Sequence, residues 1–170
     1  LAELKYIKPR LDTRNVKLGQ KIVPRKSPSK AKLTPEQVCA NTTKSNKPLL
    51  EAFVVSRCPF GLQMQRIMAD MISELPQSKE YLKVRYIGST ANGTITSMHG
   101  NEEAQENLRQ ICIREEQPEM YWDYARCYMK EGKSSECLKS LSIDVDTLDS
   151  CTNDSARGLA YAQEDFDLVD

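Results

Sequence analysis

The chain has 170 residues, 24 basic and 24 acidic side chains and one histidine, enough for one domain that buries roughly 70% of its unfolded surface. Balanced charge argues against a polyanion binder, and the lack of any apolar run of ~18 residues excludes a membrane-spanning helix. Six cysteines exceed ordinary cytosolic use, so the expected location is extracytoplasmic: periplasmic, cell-envelope, secreted or lumenal.

Residues 1–36 read as a basic N-terminal arm and linker. The first 33 carry ten Lys/Arg against Glu3 and Asp12. That run reads as a solvated face rather than a nucleic-acid site, because it lacks aromatic interleaving and any recognition-helix pattern. Lys5-Tyr6-Ile7 and Lys21-Ile22-Val23 suit short strands. Arg25 to Gln37 is rich in Lys, Ser and Pro and reads as linker. An opening on Leu1 rather than Met fits a processed product.

Residues 37–170 form the expected domain. Leu49 to Ser56 (LLEAFVVS) has the β-branched and aromatic content of a buried strand. Pro59 suits a first helical turn, where its missing N–H costs nothing. Leu62, Ile67, Met68, Met71, Ile72 and Leu75 repeat at helical spacing, and Pro76 stops the helix. Tyr81 to Gly88 alternates as a second strand. The Asn92-Gly93 turn predicts a hairpin between it and a third strand around Ile95. From there the pattern is helical, with segments at roughly 102–114, 119–131, 134–141, 146–151 and 154–163, Gly132 as a stop, and Ser134 and Asp146 as caps. Trp122, Tyr121, Tyr124 and Tyr128 share one helix at near-helical spacing and read as core. Acceptor sequons stand at Asn41, Asn92 and Asn153, and they matter only in a eukaryotic secretory pathway.

The chemistry centres on Cys58. A cysteine where a strand gives way to a helix meets the first N–H groups and the dipole of that helix, which favour a thiolate. Strand, Cys58-Pro59 and amphipathic helix therefore mount a nucleophilic sulfur on a rigid support. The blander alternative is a small buried hydrophobe. Placement just before a helix-starting proline, outside the apolar run, favours the functional reading.

Cys58-Pro59-Phe60-Gly61 resembles the active-site turn of the thioredoxin fold, with Gly61 where a second thiol usually stands. Ser97 to Cys112 (SMHGNEEAQENLRQIC) resembles the signature of the gamma-interferon-inducible lysosomal thiol reductase family, Cys-Gln-His-Gly-x-x-Glu-Cys-x-x-Asn-x-x-x-x-Cys. His99, Gly100, Glu103, Asn107 and Cys112 match; Ser97, Met98 and Ala104 depart. The resemblance spans about Ala52 to Cys151. The chain is also similar to bacterial thioredoxin-like proteins with Cys-Pro-Phe-Gly or Cys-Pro-Tyr-Gly. The joint loss of two signature cysteines, at Ser97 and Ala104, is what the absence of a family bridge would produce.

These resemblances imply an α/β, thioredoxin-like fold with a cysteine-bearing helical insertion at about 101–163. With no proline after Pro118, the C-terminal cis-proline hairpin of that fold is expected to be missing, as in a fragment, a processed chain or a variant borrowing a strand. The open sheet edge left behind is a point for a partner chain. His99 is a candidate base for Cys58 or, preferably, a loop-holding residue. Cys112, Cys127, Cys137 and Cys151 fit no zinc spacing. They are expected to staple the helical part, Cys127 to Cys137 and Cys112 to Cys151, although six thiols permit fifteen pairings. Cys39 is left as a possible resolving thiol. The implied activity is monothiol thiol-disulfide exchange on protein thiols or disulfides, with no metal, nucleotide or flavin cofactor. The rival is a redox-inactive thioredoxin-like binding module, favoured by Gly61, the absent cis-proline region and the basic arm.

Overall fold

The computed structural model describes Thr34 and residues 47–169. The basic arm, for which two short strands are expected from sequence, the linker apart from Thr34, Cys39 and Asn41 lie outside the described residues. The chain divides into two units, Leu1–Lys44 and Ser45–Asp170, and the account below concerns the second.

Strands β1 (Leu50–Val54) and β2 (Leu82–Tyr86) pair in parallel, Leu50 opposite Leu82 through Val54 opposite Tyr86. Strand alternation gives them one apolar face, and Ala52, Val54, Leu82, Val84 and Tyr86 are all buried on it. Each buried Val or Leu contributes about 1.5–3 kcal/mol. A one-residue slip would turn that whole set outward, so the register is firmly set. On the other face Arg85 pairs with Glu51 at 2.7 Å. The connection between the strands is helix α1 (Pro59–Glu74), which buries Met68 and Ala69, followed by a 3₁₀ turn over Pro76–Tyr81.

The hairpin differs from expectation. It is built by β3 (Ser89–Ala91) and β4 (Thr94–Thr96), joined antiparallel, while β2 pairs with β1. The turn residues Asn92 (φ 53°) and Gly93 (φ 75°) both have positive φ, as a two-residue hairpin loop demands. The physical reason for the reassignment is burial: β2 gives three side chains to the core, whereas the hairpin buries only Ile95. Gly88 lets the chain leave β2, since a Cβ there would lie 2.7 Å from both the Phe166 ring and the Thr96 carbonyl oxygen.

Five helices follow: α2 (Asn101–Glu116), α3 (Tyr121–Glu131), α4 (Ser134–Ser140), α5 (Val145–Asn153) and α6 (Ala160–Phe166), with a π-helical turn at Ser155–Leu159 before α6. Gly132, in the left-handed region at φ 66°, ends α3. Both expected caps move. Lys133 precedes α4, and Ser134 instead donates its hydroxyl to Glu106 Oε2 at 2.6 Å. Asp144, not Asp146, caps α5 by accepting the Thr147 N–H at 3.0 Å. Tyr121, Trp122, Tyr124 and Tyr128 are buried in the core.

Two disulfides cross-link this helical part, Cys112 to Cys151 between α2 and α5, and Cys127 to Cys137 between α3 and α4. Gly158 lies against the first, where a Cβ would sit 3.3 Å from the Cys112 sulfur and 2.5 Å from the Cys151 carbonyl oxygen. Asp165, fully buried, ties α6 to the sheet. Its carboxylate accepts the Tyr86 N–H at 2.9 Å, Arg85 at 2.9 Å, and Arg114 at 2.8 and 3.1 Å. Burial alone would lower the Arg114 pKa; the Asp165 carboxylate outweighs it and holds the guanidinium above its usual value. The architecture is mixed α/β, dominated by helices around small sheets. Among the described residues no helix is long and apolar enough to cross a membrane, no peptide bond is cis, and no cluster of three metal-ligating side chains exists.

Candidate active site: a thiol at a strand-to-helix turn

The apolar run of β1 continues through buried Val55 and Ser56 before the chain turns. Cys58 takes the extended conformation (φ −74°, ψ 125°) that a residue preceding a helix needs, and Pro59 opens α1. The Cys58 N–H donates to the Val55 carbonyl at 3.2 Å, and its own carbonyl accepts the Leu62 N–H at 2.9 Å. The thiol is partly exposed and is the free one among the described cysteines. Phe60, 81% exposed, stands two residues beyond it. Gly61 is buried against β1: a Cβ there would lie 3.0 Å from the Val55 carbonyl oxygen and 3.1 Å from the Val54 Cβ. The position where the thioredoxin turn usually has its second thiol is therefore closely packed, and a side chain there would need its neighbours to give by a few tenths of an ångström.

The turn is held from a distance by α2. Asn107 Oδ1 accepts the Ser56 N–H at 2.9 Å, and Glu103 Oε2 accepts the Arg57 N–H at 3.2 Å. Both side chains are fully buried and stand four residues apart, hence on one helix face. A second layer holds them in turn. Ser97 donates its hydroxyl to Glu103 Oε1 at 2.7 Å and accepts from Asn107 Nδ2 at 3.1 Å. The His99 N–H donates to Glu103 Oε1 at 3.2 Å, and its Nδ1 lies 2.7 Å from Oε2. His99 is thus committed to Glu103, and among the described residues no hydrogen bond joins its ring to Cys58. Arg57 reaches out to pair with Glu102 at the surface.

A polar recess of about 270 Å³ adjoins the turn, lined by Arg57, Glu102, Glu106, Arg109, Tyr128 and Ser134 among others. A larger cavity, about 380 Å³ between α2, α5 and the hairpin, has no wall from the Cys58 turn; size alone would have pointed away from the thiol.

Residues 49–153 match the sequence model of the gamma interferon inducible lysosomal thiol reductase (GILT) family. The chain belongs to that family. The comparison with curated proteins found no match. GILT membership implies thiol reductase chemistry, and the two disulfides fit an oxidising compartment.

Sequence reasoning singled out Cys58 and the turn Pro59, Phe60 and Gly61, which the structure places together at the start of α1. Cys112, Cys127, Cys137 and Cys151 lie in the helical part, and Cys39 is outside the described residues. It did not foresee that Glu103 and Asn107, matched only as letters of the GILT signature, reach the main chain just before the thiol. Their i, i+4 spacing and polarity in an otherwise amphipathic helix were the available signal.

The Glu103 carboxylate gives this site an acid limit. Burial pushes its pKa up, but hydrogen bonds from the Ser97 hydroxyl and from the His99 ring and N–H outweigh burial and hold it below the usual carboxylate range. A pKa lower in the folded than in the unfolded chain contributes stability above the unfolded value of ~4.3, lost as pH falls through the folded one. Urea midpoints are therefore expected to stay level from about pH 7 to 5, as far as this group is concerned, and to drop below ~4.3. Glu103→Gln should flatten that acid limb, and equal acid slopes in parent and variant would refute the assignment.

Proposed function

We propose that Cys58 is the nucleophile of thiol-disulfide exchange on protein disulfides and works as a single thiol. The carrying observation is that Cys58 is unpaired and partly exposed at the start of α1, whereas the other four described cysteines are joined in disulfides. The Cys58 thiolate attacks one sulfur of a substrate disulfide; that S–S bond breaks, and the departing sulfur leaves with the electron pair and takes a proton from water. A second thiol, from Cys39 or a small external thiol, then attacks the Cys58 sulfur of the mixed disulfide, releasing the reduced substrate and leaving Cys58 joined to that thiol; a further external thiol cleaves this bond and returns Cys58. The substrate gains two electrons, and the resolving and external thiols, which end joined in a disulfide, lose them. Gly61 at the usual place of an internal resolving thiol supports a monothiol route, and its close packing on Val54 and Val55 leaves a side chain there tightly crowded.

The same reading extends to architecture and setting. We take residues 1–36 as an arm and linker and residues 37–170 as a thioredoxin-like domain, with the helices from about residue 101 as an insertion and without the cis-proline hairpin. The β1–α1–β2 unit, with its parallel pair and thiol-bearing crossover, supports this. An extracytoplasmic location, secreted or lumenal, suits two intramolecular cross-links. Among the described residues no strand pairs with the outer edge of β1, which suits a partner chain added there.

The test is adduct trapping. Folded protein mixed with an oxidised peptide disulfide and quenched with acid is expected to carry one mixed disulfide, on the peptide containing Cys58. A protein that carries none there, with the fold intact, would instead be the redox-inactive binding module.

A further inference from the structure

We infer that Glu103 and Asn107 are positioning residues for the reactive thiol: a clamp, built from the GILT signature, that fixes the main chain of Ser56 and Arg57 so that Cys58 is presented at the start of α1. The inference rests on the proposed role of Cys58.

The argument starts from hydrogen-bond accounting. Where β1 ends, successive N–H groups lose their strand partner before α1 supplies its own pattern, and buried N–H groups must be satisfied. Val55 meets one need through its carbonyl, which takes the Cys58 N–H. The N–H groups of Ser56 and Arg57 are met by side chains 51 and 46 residues away. Local sequence has no means of holding these two residues; only α2 does. Asn107 and Glu103 carry no exposed surface, so their polar atoms are costly unless they make these bonds.

The arrangement is also directional. Ser97 orients both side chains at once, donating a hydrogen bond to Glu103 and accepting one from Asn107. Ser97 stands where the family signature has cysteine. In this chain the position contributes a hydroxyl to the clamp rather than a sulfur to a bridge, and Ala104, at the other departed cysteine, is simply buried core. His99, the signature histidine, acts through Glu103 as well. Four signature positions thus converge on one object, the two peptide groups before the thiol. A packing role alone would not require consecutive N–H groups of a turn to be taken by two polar side chains of one helix face.

The experiment compares Asn107→Ala, Ser97→Ala and Glu103→Gln with a Leu148→Ala control, a buried core truncation on α5. The readouts are the alkylation rate of Cys58 by iodoacetamide at pH 7, corrected for the fraction folded, and kcat and KM on a peptide disulfide. Asn107→Ala is expected to slow alkylation and kcat about tenfold with KM within about twofold, and Ser97→Ala about threefold. Glu103→Gln keeps an oxygen for the Arg57 N–H and should stay within about threefold of the parent. Leu148→Ala should lose stability yet alkylate at the parent rate. Parent-like alkylation in Asn107→Ala and Ser97→Ala, or losses no different from Leu148→Ala, would overturn the clamp. A parent protein without turnover defeats the proposed function but leaves the alkylation comparison to decide the clamp. An Asn107→Ala chain that does not fold leaves Ser97→Ala to decide it.

Discussion

Cys58→Ser is expected to abolish disulfide-reducing activity, bringing it to the rate of the assay thiol alone, a loss of ~10³-fold or more. The stability read from urea unfolding should barely move, by about 0.5 kcal/mol or less. A serine hydroxyl is a far weaker nucleophile at neutral pH and forms no mixed disulfide, so the chemistry stops at its first step. Stability is spared because the Cys58 sulfur is partly exposed and belongs to no cross-link, and the turn contacts use its main-chain N–H and carbonyl, which serine retains. Activity and midpoint measured on the same preparation check both halves. A variant as active as the parent would remove Cys58 from the mechanism.

The second large effect lies away from the thiol. Asp165→Asn is expected to destabilise the fold by about 3 kcal/mol, the lower end of the usual ~3–5 kcal/mol for breaking a buried ion pair. The amide can still accept the Tyr86 N–H, but it leaves the Arg114 guanidinium buried with less counter-charge, and that uncompensated charge dominates the cost. Two observations soften the effect. Arg114 keeps Glu115 at 2.8 Å, and Arg85 keeps Glu51 at 2.7 Å. Urea unfolding followed by circular dichroism reads the change; a shift below about 1 kcal/mol would mean that the pair is compensated more fully than its burial implies.

These two residues also show how far the sequence could be read. Cys58 stood out because its signal is local: an apolar run, a thiol, a helix-starting proline and helical spacing all lie within one short window. The strands β1 and β2 and helix α1 were legible for the same reason, and so was Gly132 as a stop. The pairing of the hairpin was not, since Tyr81 to Gly88 and the segment around Ile95 both alternate and only the competition for core surface assigns β2 to β1. The local pattern at Ser134 fits a cap, whereas Glu106, 28 residues away, captures its hydroxyl. Asp165 carried no local mark at all among the acidic residues of the C-terminal stretch. The hold of Glu103 and Asn107 on Ser56 and Arg57 is likewise a property of tertiary approach: the signature displays the residue types, and only the fold says what they grip.

The placement of sulfur in this molecule has a last consequence. Among the described residues the cross-links sit in α2, α3, α4 and α5, while the Cys58 turn is fastened by hydrogen bonds of oxygen and nitrogen. Electrons supplied by a strongly reducing milieu can sever the former and have nothing to cut in the latter. On the proposed role of Cys58, such a chain endangers its scaffold before its tool, and under such conditions it should loosen among the helices while the Cys58 turn keeps its aim.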